Sequence, residues 1–162
     1  MDTLHLSMYV ILRGSGISVR FELEAVIPVR VLVVDDSEIV RMGVRVLLYD
    51  SAKWEICGEA ENGADAIAKV LEESPDVVVL DLIMPVMSGF ETAARIRTIA
   101  PTTKIVFFSV HETPTTARLV GADAFVSKAS AAKDLALAIT TALELRPNPS
   151  RAHDGSPDQP TN

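Results

Sequence analysis

Cysteine is almost missing from this 162-residue chain, with Cys57 the single example. One thiol excludes an intrachain disulfide and fits a reducing compartment. Basic charge is also short: 15 Lys and Arg face 22 Asp and Glu, a net charge of −7 and a pI near 4.9. That balance argues against general polyanion binding, which calls for a basic patch. No apolar run approaches the ~18 residues of a membrane span. The opening Met1-Asp2-Thr3-Leu4-His5 lacks the positive n-region of a signal peptide. The expectation is a cytoplasmic chain with no membrane partner. What remains is an ordinary globular mix, 48% hydrophobic and 23% charged, of a length suited to one domain. A chain near 150 residues buries roughly 70% of its unfolded surface, enough for a real core.

The ends differ from the middle. From Arg146 onward the chain carries four prolines and no large apolar residue, so residues 147–162 are expected to be a disordered tail. In residues 1–27, Leu4, Leu6, Met8, Val10 and Leu12 alternate with other residues. After Gly14-Ser15-Gly16, the residues Ile17, Val19, Phe21, Leu23 and Ala25 alternate with Ser18, Arg20, Glu22 and Glu24. Period-2 alternation across a glycine turn signals a β-hairpin. A mis-assigned start that yields unselected sequence is the alternative for this stretch.

Residues 28–146 read as one domain in which apolar runs and amphipathic stretches take turns. Arg30–Val34 and Val77–Leu80 are continuous enough for buried parallel strands. Glu55–Ala60 is a poorer strand, Lys104–Phe108 a fourth, and Asp123–Val126 a short fifth. Ser37 caps a helix through about Tyr49, with Ile39, Val40, Val44, Leu47 and Leu48 on its expected inward face. Ala64–Glu73 carries Ala64, Ile67, Ala68 and Leu71 at helical spacing. Ser88–Ile99 and Ala131–Leu145 are further helices, the last with Leu135, Ile139, Ala142 and Leu143 as its core stripe. This rhythm predicts an α/β domain: five parallel strands with helices on both faces and right-handed crossovers. Ligands in such sheets bind beyond the carboxyl ends of the strands, where strand order switches.

At those ends stand Asp35 and Asp36 after the first strand, Asp81 after the third, Ser109 after the fourth and Lys128 after the fifth. Three carboxylates in one pocket repel unless a cation neutralises them. Hard oxygen donors suit Mg²⁺, which keeps some of its waters. With an ammonium and a hydroxyl beside them, such groups can hold a phosphoryl group against a carboxylate, which is electrostatic catalysis of phosphoryl transfer.

In order along the chain, four blocks carry a resemblance. They are Val31–Asp36, Val79–Gly89, Phe107-Phe108-Ser109, and Gly121–Lys128. Over roughly Val29 to Leu145 the chain resembles the receiver domain of two-component response regulators, the CheY-like family. The stretch from Arg41 through Gly43 to Leu47 looks most like receivers of helix-turn-helix (LuxR-type) regulators. The resemblance implies a flavodoxin-like (βα)5 three-layer sandwich with strand order 2-1-3-4-5. It implies Asp81 as phosphoacceptor from the phosphohistidine of a sensor histidine kinase or phosphotransfer protein. It further implies Mg²⁺ held by Asp36, by Asp35 largely through water, by Asp81 and by the backbone carbonyl of Ile83. Lys128 would pair with the phosphoryl group, and Ser109 would hydrogen-bond it. Phe125 matches the switch aromatic, although packing alone also explains an aromatic on a short strand. The implied role is a phosphorylation-dependent switch for an output protein, with self-association as a homodimer left open, and with no enzymatic activity beyond its own phosphorylation and slow dephosphorylation.

Two departures qualify this expectation. Val110–Val120 is about three residues short of the family's usual length, which at 3.6 residues per turn removes nearly one turn of the helix between the fourth and fifth strands. Pro114 suits only its first turn, so the output face is expected to be non-standard. Ile83, two residues past the acceptor, cannot hydrogen-bond an attacking water, which favours a long-lived phosphoaspartate; His111 is a compensating candidate or an exposed loop histidine. The tail is too short for a DNA-binding domain, so a stand-alone receiver without direct DNA binding is expected. The competing readings are a receiver-like scaffold that is never phosphorylated, an aspartyl-phosphate hydrolase, and a flavodoxin relative. The hydrolase would need an Asp where Ile83 stands, and the flavodoxin a Ser/Thr-rich loop where Asp35-Asp36-Ser37-Glu38 stands.

Overall fold

Strand alternation decides which side of the sheet each core residue serves. The computed structural model describes residues 3–13, 16–49, 52–110, 121–129 and 132–144. Its elements in chain order are β1 (Thr3–Arg13), β2 (Gly16–Val26), β3 (Val29–Val34), α1 (Glu38–Tyr49), β4 (Trp54–Ala60), α2 (Gly63–Glu73), β5 (Val77–Leu80), α3 (Gly89–Ile99), β6 (Lys104–Ser109), β7 (Ala124–Ser127) and α4 (Ala132–Glu144). Strands β3 to β7 form one parallel sheet in the order β4-β3-β5-β6-β7. Counted within that sheet the order is 2-1-3-4-5, the flavodoxin-like arrangement. The segment His111–Val120, on which the shortened helix was expected, lies outside the described residues, as does His111 itself. The tail 147–162 lies outside them too.

Successive strand residues face opposite sides, and the core divides accordingly. Leu32, Val34, Val78, Leu80, Ile105 and Phe107 pack with Ala66 and Val70 of α2 and Ala93 and Ile96 of α3. Val31, Val33, Val77, Val79, Val106 and Phe108 pack with Val44 and Leu48 of α1 and Leu135, Ile139 and Ala142 of α4. Three layers result, and every residue of β5 is buried, which is why its sequence is apolar without alternation. In β4 the register slips between Val31 and Leu32 of the neighbouring strand, leaving Cys57 unmatched between Ile56 and Gly58.

Strands β1 and β2 form a separate antiparallel sheet. Its register sets Leu4 opposite Ala25, Leu6 opposite Leu23, Met8 opposite Phe21, Val10 opposite Val19 and Leu12 opposite Ile17. The alternating apolar residues of the two arms therefore fall at opposed register positions.

Two helical faces differ from expectation. In α1, Ile39 is 81% exposed and Leu47 is also exposed, while Arg41, Val44 and Leu48 are buried. In α2 the buried positions are Gly63, Ala66 and Val70, and Leu71 is 63% exposed. Periodicity defines a stripe but tolerates a rotation of about one residue when small residues flank it. The rotation of α2 is decided by packing: a Cβ on Gly63 would overlap the Thr92 hydroxyl of α3 and stand 2.8 Å from Met87. In α1 the inward position is taken by Arg41 because paired partners await it, as described below.

Candidate functional site

The chain leaves β3 for the outer strand β4 and returns to β5 on the other side, so the order switches between β3 and β5. The residues just past those two strands are Asp35 and Asp81. Parallel pairing extends one residue beyond the strands: Asp35 N donates to the Ala60 carbonyl at 3.1 Å, and Asp81 N to the Val34 carbonyl at 2.9 Å. Lys128 N likewise donates to the Ser109 carbonyl at 3.0 Å. The functional side chains are thus carried on backbone that still belongs to the sheet.

Asp35, Asp36 and Asp81 bring carboxylate oxygens within 4.8 Å of one another. Asp35 is 2% exposed and Asp81 6%, whereas Asp36 faces solvent. One oxygen of each buried carboxylate accepts a backbone N–H: Ser37 N donates to Asp35 Oδ1 at 3.0 Å, and Leu82 N to Asp81 Oδ1 at 2.8 Å. The other oxygen of each meets Lys128, whose Nζ lies 2.6 Å from Asp35 Oδ2 and 3.1 Å from Asp81 Oδ2. Ser109 ends β6 fully buried on the same edge. Burial pushes the Asp35 carboxyl up, against the hydrogen bonds from Lys128 and Ser37 that favour its ionised form. Burial alone would lower Lys128, but its hydrogen bonds and attraction to Asp35 and Asp81 outweigh that and raise it. Lys128 is therefore a fixed ammonium at neutral pH.

All five residues expected from the sequence, Asp35, Asp36, Asp81, Ser109 and Lys128, lie along this edge. Ile83 follows on the loop after β5, with its side chain 57% exposed. Phe125 sits opposite Phe107 in β7 and is half-buried against the α2–α3 side of the core. The donor set fits a hard divalent cation: three carboxylates with one ammonium leave an excess of negative charge, and each oxygen keeps acceptor capacity.

Three residues near the site were quoted within longer stretches of the sequence without a role of their own. Arg41, 7% exposed, reaches the Asp35 carbonyl; its spacing of three and seven from Val44 and Leu48 was the signal. Gly89 opens α3 against the Asp81 backbone, where a Cβ would overlap the Asp81 carbonyl oxygen. Val86 adopts φ +71°, which nothing in the sequence marks.

A parallel sheet of this order, with an acidic cluster at its switch point, defines a doubly wound α/β domain. Residues 31–140 match the family described as the response regulator receiver domain, and the chain belongs to that family. The response regulator protein VraR of Staphylococcus saprophyticus is 35% identical over 115 residues, covering 69% of this chain and 55% of that protein. VraR of Staphylococcus aureus is 36% identical over 114 residues, 68% of this chain and 54% of the relative. The chain thus spans about half the length of these curated relatives. Among solved structures, the signal receiver domain of NarL from Mycobacterium tuberculosis superposes with a TM-score of 0.69 at 34% identity, covering 74% of this chain and 98% of that one. The response regulator domain of Thermotoga maritima CheB gives 0.68 at 30% identity, with coverages of 74% and 99%. The isolated receiver domain of RcsB from Salmonella enterica serovar Typhimurium, solved with the phosphomimetic BeF₃⁻, gives 0.64 at 25% identity, with coverages of 70% and 86%. Among the described residues no helix is long and apolar enough to cross a membrane.

Proposed function

We propose that this receiver is a phosphorylation switch whose acceptor is Asp81. The observation that carries this reading is the Lys128 ammonium held between the Asp35 and Asp81 carboxylates. In the transfer, an Asp81 carboxylate oxygen attacks the phosphorus of a phosphohistidine. The new O–P bond forms as the P–N bond breaks, and the departing imidazole nitrogen takes a proton. The incoming phosphoryl oxygens take over the Lys128 ammonium, and the Ser109 hydroxyl donates to one of them. Asp35, Asp36, Asp81 and the Ile83 carbonyl would hold Mg²⁺, which offsets the charge of the transferring group. Withdrawal of Lys128 and Ser109 toward the phosphoryl group is the local event that Phe125, next to Val126 on β7, would report to an output protein.

The phosphodonor's docking face is suggested by α1. Ile39, Met42 and Val46 are exposed on it, and a groove of about 250 Å³ runs from Ile39, Gly43 and Leu47 to Phe108 and Lys128. A helix of a sensor histidine kinase or phosphotransfer protein laid there would present its histidine to the acidic edge. The test is incubation with Mg²⁺ and a small-molecule phosphodonor, alongside Asp81→Asn. An acid-labile phosphate on the parent and none on the variant supports the proposal. A parent that never acquires phosphate returns the fold to the role of an unphosphorylated scaffold.

A further inference from the structure

Arg41 is a buried guanidinium whose partners lie just past β3 and at the end of β4. Its Nη1 donates to the Asp35 carbonyl at 2.8 Å, its Nε to Glu59 Oε2 at 3.1 Å, and its Nη2 to Glu61 Oε1 at 3.4 Å. Glu59 is itself held from two other sides: Arg45 Nη1 meets Oε1 at 2.7 Å, and Lys69 Nζ donates to its carbonyl. Both carboxylate oxygens of Glu59 are thus engaged by arginines of α1. The carbonyl it grips belongs to the peptide that joins Asp35 to Asp36. The N–H of Asp35 is already fixed on Ala60, at 3.1 Å. With Arg41 on the carbonyl, the orientation of the Asp35–Asp36 peptide is set, and with it the direction in which Asp36 leaves the backbone.

We infer that Arg41 is a positioning residue for the acidic cluster, one that tunes its cation affinity by fixing the Asp35–Asp36 peptide without touching the cation. This rests on the reading of Asp35, Asp36 and Asp81 as a Mg²⁺ site. The planar fork of arginine reaches a carbonyl and two carboxylates at once, a geometry that the single ammonium of lysine cannot reproduce. Electrostatics and positioning predict opposite signs when the charge is removed. Deleting a positive charge near a cation site should tighten cation binding. Loosening the support of a ligand should weaken it, by about 10-fold or more.

The experiment titrates Mg²⁺ by calorimetry into the parent, Arg41→Met, Arg41→Lys and Arg45→Met, and records the Asp36 amide resonance of each protein in EDTA. Arg45→Met removes a charge from the same helix and a Glu59 partner but leaves the Asp35 carbonyl contact in place. The expected result is a Mg²⁺ dissociation constant about 10-fold higher in both Arg41 variants, a near-parental one in Arg45→Met, and a displaced Asp36 amide in the Arg41 variants alone. Tighter or unchanged Mg²⁺ binding in Arg41→Met, or equal weakening in Arg45→Met, overturns the inference. Should the Arg41 variants fail to fold, Glu59→Gln loosens the anchor with Arg41 in place, and an unchanged constant there overturns it as well. A parent that binds no Mg²⁺ defeats the reading of the cation site; the Asp36 amide in EDTA then decides the positioning role alone, an undisplaced resonance refuting it.

Discussion

Gly89 begins α3 against the backbone of Asp81, so closely that a Cβ there would overlap the Asp81 carbonyl oxygen and stand 2.8 Å from the Leu82 Cα. The Gly89 amide donates to the Leu82 carbonyl at 2.9 Å, locking the loop that follows Asp81 to the start of the helix. The obstacle is backbone, which cannot rotate away. Gly89→Ala should therefore cost about 1–3 kcal/mol, the range of overpacking, and slow phosphorylation of Asp81. Gly43 is the internal control: it lies in α1 with nothing within 4 Å of a Cβ. Gly43→Ala should stabilise by roughly 0.5–1 kcal/mol through helix propensity. Urea midpoints of the two variants should move in opposite directions.

Lys128 counters repulsion between two buried carboxylates, so Lys128→Met should destabilise the metal-free protein. Lys128 keeps some solvent contact, with its side chain 14% exposed. The expected loss is about 1–3 kcal/mol, below the range for fully buried pairs. Adding Mg²⁺ should restore part of it, because a cation takes over the neutralisation. Urea unfolding in EDTA and in Mg²⁺ checks both statements, and a variant as stable as the parent in EDTA contradicts the first.

Val86 carries the positive-φ centre of a tight turn: its φ is +71°, and Met87 N donates across it to the Pro85 carbonyl at 2.8 Å. A β-branched residue is an outlier in that region, at a cost of order 1–3 kcal/mol. The side chain is exposed and loses little packing on removal. Val86→Gly should raise stability by about 1 kcal/mol after the extra chain entropy of glycine is counted. An unchanged or lower unfolding midpoint would show that the strain is relieved elsewhere.

The start of α3 should also carry a pH dependence. Hydrogen bonds from the Ser88 hydroxyl and amide hold the Glu91 carboxyl below its usual value, completing a capping box. A depressed folded-state value means the contribution is present above the ordinary glutamate range and is lost as pH falls through the lowered value. Glu91→Ala should thus be less stable than the parent at pH 7, with the gap narrowing below about pH 4. A gap that is constant from pH 7 to pH 3 would remove the charge from the explanation.

Ile83 places an exposed apolar side chain two residues beyond Asp81, where it cannot orient an attacking water. The phosphoaspartate is expected to persist for minutes or longer, and Ile83→Asn to shorten it several-fold. Following loss of acid-labile phosphate after removal of the donor measures this directly, and decay of the parent within seconds would contradict it.

Asp35, Asp36, Asp81, Ser109 and Lys128 were legible from the chain because parallel strands deliver their following residues to one edge, whatever the helices do. The helical faces were less legible. Ala64, Ala66 and Ala68 offer overlapping stripes on α2, and only the close approach of Gly63 to Thr92 chooses among them. Arg41 was passed over because a charged residue in an apolar stripe reads as solvent-facing until its partners Glu59, Glu61 and the Asp35 carbonyl are seen. The sign of φ at Val86 leaves no trace in residue type.

The shortage of cysteine and of basic charge excluded a disulfide and general polyanion binding, and the alternation of apolar runs with amphipathic stretches was enough to predict an α/β domain and the strand-end edge that carries the acidic residues. That alternation is a local property, read from periods of two and 3.6 residues. Tertiary structure decided that three carboxylates gather within 4.8 Å, that Lys128 bridges two of them, and that Arg41 holds the peptide between the first two. Such distances depend on long-range strand pairing and on which helix face meets the sheet, and no local period encodes them.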